Sequence, residues 1–328
     1  MPIRTFIEAV REGMAEEMRR DESVVVLGED VGKKGGVFLA TDGLWAEFGD
    51  DRVIDTPLTE SMIVGASIGA AMNGLRPVAE IQFADFIHPA FNQIVSEAAR
   101  MRYRTNNGFG VPMVIRAPYG GGVHGALYHS QSVEAFFTHV PGLKVVIPST
   151  PYDAKGLLRS AIRDDDPVLF FESETLYSMK GEVPDDPEVT VPFGVARIAR
   201  EGAGVTIVAW SRMVHVALEA AEKLAKEGIE AEVVDLRSLR PLDEEAIVKS
   251  VKKTHRAVVA YEGFAYGGVG GEIVDRIQRL AFDDLDAPIL RVTTRDVPMP
   301  YNAKLEQLCI PQAKGIIEAV KRVTYRSA

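Results

Sequence analysis

Short runs of apolar, often β-branched residues alternate with longer segments of helical spacing along nearly the whole chain. In the first part of the chain these runs are Ser23–Leu27, Arg76–Phe83, Val111–Arg116, Leu143–Ile147 and Val168–Phe171. Helical spacing lies between them, at about Glu60–Asn73, Pro89–Arg104 and Tyr152–Arg163, the last with Ser149 or Thr150 as its cap. Nearly all-apolar strands that alternate with helices are typical of a parallel sheet with helices on both faces.

The alternation is interrupted between about residues 178 and 204, where Pro, Gly and charged residues dominate. A second series of apolar runs follows at Val205–Trp210, Glu232–Leu236, Ala257–Tyr261 and Ile289–Val292. Its helices are expected near Val214–Glu227, Asp243–Lys252, Gly271–Ala281 and Ala313–Val323. The sequence therefore predicts an α/β protein of two doubly wound, parallel-sheet domains, residues 1–180 and 204–328, joined by a linker over residues 181–203.

Composition excludes several classes of protein. The formal net charge of −10 argues against nucleic-acid binding. The single cysteine, Cys309, excludes a disulfide within the chain and a cysteine-ligated metal centre. The amino-terminal segment is an amphipathic helical pattern, and no apolar run reaches the roughly 18 residues of a membrane span, so we expect a cytoplasmic protein that does not enter the membrane.

Common nucleotide and nucleophile motifs are missing from the sequence. It contains neither a G-x-x-x-x-G-K-[ST] phosphate loop nor a G-x-S-x-G elbow. The glycine-rich segment Gly267–Gly271 follows the third apolar run of the second series and lacks the G-x-G-x-x-G spacing. This pattern favours a tight strand-to-helix turn over a dinucleotide site.

Glu60 opens a predicted helix whose next thirteen residues carry no charge. One interpretation is a first-turn carboxylate that the helix dipole stabilises. The other is a desolvated carboxyl group beside an apolar ligand pocket, where burial raises the pKa. The helix is also rich in small residues, which suits close packing, including packing between subunits.

His129 lies in a polar segment after three consecutive glycines. A histidine on such a loop can act as an acid, a base or a substrate ligand, and it can equally be a hydrogen-bonded structural residue. His124 is a weaker candidate of the same kind. The acidic run Asp164–Asp166 is either a solvated turn or a cation-binding loop.

Several segments together resemble one known family, the beta subunits of the decarboxylating, thiamine-dependent component of the 2-oxo acid dehydrogenase complexes. The matching segments cover most of the chain and are VVLGEDVGKKGGVF (25–38), RVIDTPLTE (52–60), PVAEIQFADF (77–86), ALYHSQSVEAFF (126–137), KVVIPSTPYDAKGLLRSAIRDDDPV (144–168) and DVPMPY (296–301). The resemblance implies a first domain that binds the aminopyrimidine of thiamine diphosphate and a second domain like the carboxy-terminal domain of transketolase.

The resemblance also implies roles for individual residues. Glu60 matches the glutamate that hydrogen-bonds N1′ of the aminopyrimidine and so helps to deprotonate the thiazolium carbon. Phe86 matches an aromatic residue that packs on the pyrimidine, and Gln82 lines the same pocket. His129 matches the histidine implicated in substrate binding and in acyl transfer to lipoamide.

Further components are implied by the same resemblance. In this family an alpha subunit binds the diphosphate and magnesium through a Gly-Asp-Gly motif, which is absent from this sequence; the nearest string is Gly49-Asp50-Asp51. The implied partners are that alpha subunit, in an α2β2 assembly, and a lipoyl-bearing acyltransferase core. A potassium site is implied at Met113, Val114, Ala161, Ile162, Asp164 and Asp166, the last of which is usually asparagine in relatives.

The implied substrate is a 2-oxo acid. Segments 124–137 and 79–86 resemble the branched-chain enzyme, whereas segments 262–273, 285–293 and 296–306 resemble pyruvate or acetoin dehydrogenase beta subunits. We expect branched-chain 2-oxo acids, with pyruvate and then acetoin as alternatives. Two other classes are a self-sufficient thiamine enzyme, for which the chain is too short, and a docking subunit without catalytic residues, which would not need Glu60 or His129.

Overall fold

The computed structural model describes residues 1–326. They form two compact units, and the chain passes from one unit to the other more than once. The first unit contains residues 1–119 and 136–193, and the second contains residues 120–135 together with the chain from residue 194 onward. No helix within residues 1–326 has both the length and the apolarity that a membrane span requires.

The regular elements follow the predicted alternation. The strands are β1 (Ile3–Thr5), β2 (Val24–Gly28), β3 (Val53–Asp55), β4 (Arg76–Glu80), β5 (Val114–Tyr119), β6 (Lys144–Val146), β7 (Val168–Ser173), β8 (Lys180–Glu182), β9 (Arg197–Arg200), β10 (Val205–Ala209), β11 (Ala231–Asp235), β12 (Ser238–Arg240), β13 (Ala257–Phe264) and β14 (Leu290–Thr294). The α-helices are α1 (Phe6–Arg20), α2 (Leu44–Phe48), α3 (Glu60–Met72), α4 (Met101–Arg104), α5 (Glu134–Thr138), α6 (Pro151–Arg163), α7 (Arg212–Ala225), α8 (Glu244–Thr254), α9 (Val269–Ala281), α10 (Ala303–Cys309) and α11 (Ala313–Val323).

The main sheet of the first unit is parallel throughout. The six strands that the first unit contributes to this sheet have the order β6-β7-β5-β4-β2-β3. In strand β2, Val24 and Val26 belong to the core formed with helices α1 and α6. Successive side chains of a strand point to opposite faces, so Val25 and Leu27, which are also buried, lie on the other face. The sheet is therefore covered on both sides, as its apolar strands predict.

Helix α6 shows how the local sequence sets an element boundary. The Thr150 side chain accepts a hydrogen bond from the Asp153 N–H, and Pro151 occupies the first turn, where a missing amide hydrogen costs nothing. Helix α3 has a buried inner face, whereas Met62, Ala66 and Gly69 on its outer face are exposed. Helix α3 is thus buried on one face by other residues of this chain, in agreement with the close packing that its small residues suggest.

The predicted helical segment over about Pro89–Arg104 is confirmed as helical, but it is not one regular α-helix. The chain forms a 3-10 segment at Ala84–Ala90, a π-turn at Gln93–Glu97 and a second 3-10 turn before α4. Pro89 has no amide hydrogen to donate, and the wide π-turn shifts the side chains around the axis. The apolar spacing of this segment is therefore shared among short helices of different pitch.

The second unit has a five-stranded sheet of order β14-β13-β10-β11-β9, in which only β9 is antiparallel to its neighbour. Helices α7 and α11 share a core with one face of β10. On the opposite face, the Thr206 hydroxyl hydrogen-bonds Ser250 and Thr254 of α8, each at 2.7 Å. The glycine-rich segment is a strand-to-helix turn: a Cβ on Gly270 would lie 2.1 Å from the Tyr261 ring.

Candidate active site

The strand order of the first unit reverses between β2 and β4, which defines a candidate crevice at the carboxyl ends of these two strands. The connection after β2 leads to β3 on one side, and the connection after β4 leads to β5 on the other side. Ligands of open parallel sheets bind at the carboxyl ends of strands at such a point. Glu29 directly follows β2, Gln82 lies two residues beyond β4, and Glu60 lies five residues beyond β3. The fold therefore brings these three side chains to the same edge.

Glu60 is the first residue of α3 and is partly buried. Its N-cap residue, Thr59, makes no side-chain capping bond. Burial raises the pKa of Glu29, and the charges of Asp30 and Glu60 raise it further. Glu60 is thus close enough to Glu29 for its charge to disfavour the ionised form of Glu29.

Aromatic rings and an amide lie near these carboxyl groups. The Gln82 side-chain amide donates to the Glu29 carbonyl oxygen at 3.4 Å and lies 3.5 Å from an Asp30 carboxylate oxygen. Phe86 belongs to the 3-10 segment that packs against α3, and its ring is edge-on to Phe83, with centroids 6.0 Å apart. The carboxyl ends of β2 and β4 thus carry a carboxyl group and an amide, and the 3-10 segment with Phe86 packs on the helix that Glu60 begins.

A buried charge cluster lies within the strands beneath the crevice. Arg116 of β5 donates to Glu172 of β7 through Nε at 2.6 Å and Nη2 at 2.8 Å, and to Glu80 of β4 through Nη1 at 2.6 Å. The Tyr177 hydroxyl donates to Glu172 at 3.0 Å. All of these side chains are buried, and burial raises the pKa of Glu80. The cluster ties together three neighbouring strands next to the edge that carries Gln82.

His129 lies in the second unit, on a loop of unusual backbone conformation. Gly120, at φ +93°, donates its N–H to the Gln131 carbonyl at 3.1 Å and so closes the loop. The amide of Gly121 donates to the Glu262 carboxylate, whose other oxygen pairs with Arg212 at 3.0 Å. His129 follows a 3-10 turn at Ala126–Tyr128 and is partly buried.

A cavity of about 430 Å³ lies beside this loop within the second unit. Loop residues form one wall, and the opposite wall comes from β13, β14 and the segment after β14; the lining residues are Leu127, Tyr128, Ser130, Gln131, Ser132, Glu262, Gly263, Phe264, Thr294, Asp296, Val297, Pro298 and Met299. Near Glu262, burial raises the pKa of Glu134 to about 7, and the Glu262 charge acts in the same direction. The second unit thus places a histidine loop, two carboxyl groups and a cavity close together.

The six residues of the expected potassium site lie in the first unit, around the turn between α6 and β7. Arg76 donates to the carbonyl oxygens of Ile162 and Asp164, each at 3.0 Å. Lys144 binds both carboxylate oxygens of Asp164, and Arg102 binds Asp166. Cationic side chains therefore already bind several oxygens of this turn. Within residues 1–326, no group of three or more His, Cys, Asp or Glu side chains is arranged to hold a metal ion.

Sequence reasoning missed Glu29, although it lies within one of the recognised segments. The available signal was its position directly after a fully apolar run, at the end of a predicted parallel strand. Sequence reasoning did select Glu60, Gln82 and Phe86, which the first unit places on α3, just beyond β4, and in the 3-10 segment that packs on α3. Asp50, from the string nearest to the missing diphosphate motif, accepts a hydrogen bond from the Trp45 indole instead.

Comparison with known proteins first defines the class. The family model of the transketolase pyrimidine-binding domain matches residues 4–180, and that of the transketolase carboxy-terminal domain matches residues 194–316. A solved structure titled split gene transketolase, inactive beta4 tetramer, has a TM-score of 0.79 at 25% identity and covers 98% of this chain and 99% of that chain. The protein is thus a transketolase-like, two-domain α/β protein, and the predicted fold class is confirmed.

Comparison with individual relatives narrows this structural class to one family of proteins. The chain is 56% identical over 309 residues to 2-oxoisovalerate dehydrogenase subunit beta of Bacillus subtilis (strain 168), covering 94% of each. It is 47% identical over 320 residues to the pyruvate dehydrogenase E1 component subunit beta of the same organism, covering 97% of this chain and 98% of the relative. The Rhizobium meliloti (strain 1021) pyruvate dehydrogenase subunit is 46% identical over 326 residues, covering 99% of this chain and 71% of the relative. The chain belongs to the family of 2-oxo acid dehydrogenase beta subunits, which confirms the predicted family.

Proposed function

We propose that this chain is the beta subunit of a branched-chain 2-oxo acid dehydrogenase, which decarboxylates substrates such as 2-oxoisovalerate and passes the acyl group to lipoamide. The observation that carries the proposal is the 56% identity to a 2-oxoisovalerate dehydrogenase beta subunit, against 46% and 47% for pyruvate dehydrogenase subunits. The segments around Gln82 and His129 also resemble the branched-chain enzyme. Pyruvate dehydrogenase is the second candidate, favoured by the segment at residues 296–306.

The proposed roles follow from the chemistry of each side chain. Thiamine diphosphate, when bound, supplies the carbon nucleophile that attacks the 2-oxo group. Glu60 holds a proton against a ring nitrogen of the pyrimidine, Phe86 packs on the ring, and Gln82 completes the pocket. His129 delivers a proton to the lipoamide sulfur that leaves when the acyl group is transferred. An imidazole is suited to this role near neutral pH.

The proposal includes the other expected components. By sequence, we assign residues 1–180 to the pyrimidine-binding domain, residues 181–203 to the linker and residues 204–328 to the transketolase C-terminal-like domain, although residues 120–135 belong to the second unit and β9, within the linker, pairs with β11. The subunit works in the cytoplasm as one of the two beta chains of an α2β2 assembly, docked to a lipoyl-bearing acyltransferase. The alpha subunit holds magnesium and the diphosphate, and the carbonyls around Asp164 hold potassium.

Purification with and without the alpha subunit tests this function. Alone, the chain is expected to show no 2-oxo acid decarboxylation, because it lacks a diphosphate-binding motif. With the alpha subunit it is expected to turn over 2-oxoisovalerate with a higher kcat/KM than pyruvate or acetoin. A higher value for pyruvate would transfer the proposal to the second candidate, and full activity of the isolated chain would contradict it altogether.

The outer face of α3 provides a test of assembly. Apart from Gly69 itself, its chain neighbours and the backbone of its own helix, no described atom lies within 4 Å of the position that a Cβ on Gly69 would take, so we expect Gly69→Trp to leave the isolated chain folded. In an α2β2 assembly that covers this face, the ring obstructs close packing. We expect the variant to elute as a smaller species in size-exclusion chromatography with light scattering. Gln278→Trp, on the exposed side of α9, is the matched control; an intact tetramer in both variants would place the contact elsewhere.

A further inference from the structure

The loop of residues 120–135 belongs to the second unit, although the chain on both sides of it lies in the first. Glu262 holds one amide of this loop. A second carboxylate, Glu306 of α10, holds more of it and has no part in the proposed chemistry. Glu306 is completely buried, and a buried carboxylate is costly unless hydrogen bonds compensate for its lost hydration.

Within residues 1–326, the Glu306 carboxylate forms three hydrogen bonds, and all three partner groups belong to the loop. Oε1 accepts the N–H of Gly122 at 2.9 Å and the N–H of His124 at 3.3 Å. Oε2 forms a short hydrogen bond with Nδ1 of the His124 ring, which is half exposed. The helix that carries Glu306 is itself capped, because the Asn302 side chain accepts from the Lys304 N–H at 3.0 Å. One fixed carboxylate therefore binds three groups of the loop.

The backbone of the loop needs such support. Gly122 has φ +105°, and the non-glycine residues His124 and Ala126 have φ +61° and +57°. L-residues adopt this left-handed region at a cost and retain it only where the surroundings enforce it. Gly121 is pressed against Ile310, whose Cδ1 would be 2.9 Å from an added Cβ. Packing on one side and the carboxylate on the other therefore both restrain the loop.

We infer that Glu306 is the positioning residue of this loop: by binding Gly122 and His124, it fixes the backbone from which His129 projects, five residues beyond His124. The inference rests on the proposed function in one respect, namely that His129 serves acyl transfer. Glu306 acts through the loop and does not itself touch the reacting atoms.

Hydrogen exchange and two activity assays on the complex with the alpha subunit test the inference. In Glu306→Ala, the amides of residues 120–131 are expected to exchange about 10- to 100-fold faster, because charge-assisted hydrogen bonds close the loop. Glu306→Gln keeps an oxygen acceptor and should restore part of the protection. Acyl transfer to a lipoyl domain should fall more than decarboxylation measured with an artificial electron acceptor. That ratio isolates the step in which His129 is proposed to act.

Controls separate this inference from the proposed function. Glu232→Ala removes another buried carboxylate of the second unit, one that pairs with Lys253, and should leave loop exchange unchanged. Loop protection that stays at the parent level in Glu306→Ala overturns the inference. Equally fast exchange in strand β10 overturns it too, since it would indicate general loss of stability. If His129→Ala changes neither assay, His129 has no role in acyl transfer. The hydrogen exchange of the loop in Glu306→Ala still tests whether Glu306 positions the loop.

Discussion

Replacing Glu60 by Gln is expected to lower turnover with the alpha subunit present by about 10²–10⁴-fold, the usual contribution of a general acid or base. The amide keeps the size and shape of the side chain but cannot release a proton to a ring nitrogen. Cofactor affinity should fall only modestly, because Phe86 and Gln82 remain. Steady-state decarboxylation and cofactor titration measure the two effects separately.

Two further measurements make the Glu60 prediction specific. The Glu60 charge contributes to the raised pKa of Glu29, so Glu60→Gln should bring the Glu29 pKa closer to its ordinary value, which carboxyl NMR titration detects. Glu244 is also the first residue of a helix, and Glu244→Gln controls for the helix dipole. If Glu60→Gln retains most of the activity, Glu60 is only a favourable first-turn residue.

Replacing Arg116 by Met is expected to destabilise the chain by about 3–5 kcal/mol, the usual cost of removing one partner from a buried ion pair. The substitution leaves Glu80 and Glu172 buried without a counter-charge. Burial already raises the pKa of Glu80, and loss of the guanidinium should raise it further. A carboxyl whose folded pKa is raised loses stability as the pH rises, so the deficit should be larger at pH 8 than at pH 5.

Urea unfolding at both pH values measures this effect. Arg19→Met is the matched control, because Arg19 pairs with Glu47 on the surface, where the side chains are 55% and 41% exposed. Exposed pairs contribute about 0–1 kcal/mol, so this variant should be nearly as stable as the parent. Similar losses in the two variants would mean that the charge cluster beneath the crevice contributes no more than a surface pair.

The sequence predicted those elements whose signals all lie within one short segment of the chain. Helix α6 has its cap, its proline and its apolar spacing in adjacent residues, and it begins at the predicted place. The segment at Pro89–Arg104 is helical as predicted, but its mixture of 3-10, π and α turns was not predicted, because apolar spacing alone does not distinguish helices of different pitch. The three-residue strand β3 was missed because so short a run has no recognisable period.

The candidate site was only partly predictable for a related reason. Glu60 is conspicuous because an uncharged helix follows it, whereas Glu29 stands in an ordinary charged loop. Its importance depends on which strands are neighbours, and the sequence does not specify strand order. Glu306 could not be recognised at all, since its buried state depends on a loop far away in the chain.

The hydrogen bond between His124 and Glu306 joins residues that are 182 positions apart. At roughly 5–20 residues per second, a ribosome makes that stretch in on the order of 10–35 seconds. Throughout this interval the nascent loop has strained backbone angles to adopt and lacks the carboxylate that binds Gly122 and His124. The histidine loop can therefore acquire its final shape only after Glu306 has been made, when all residues of the first unit have already been available to fold.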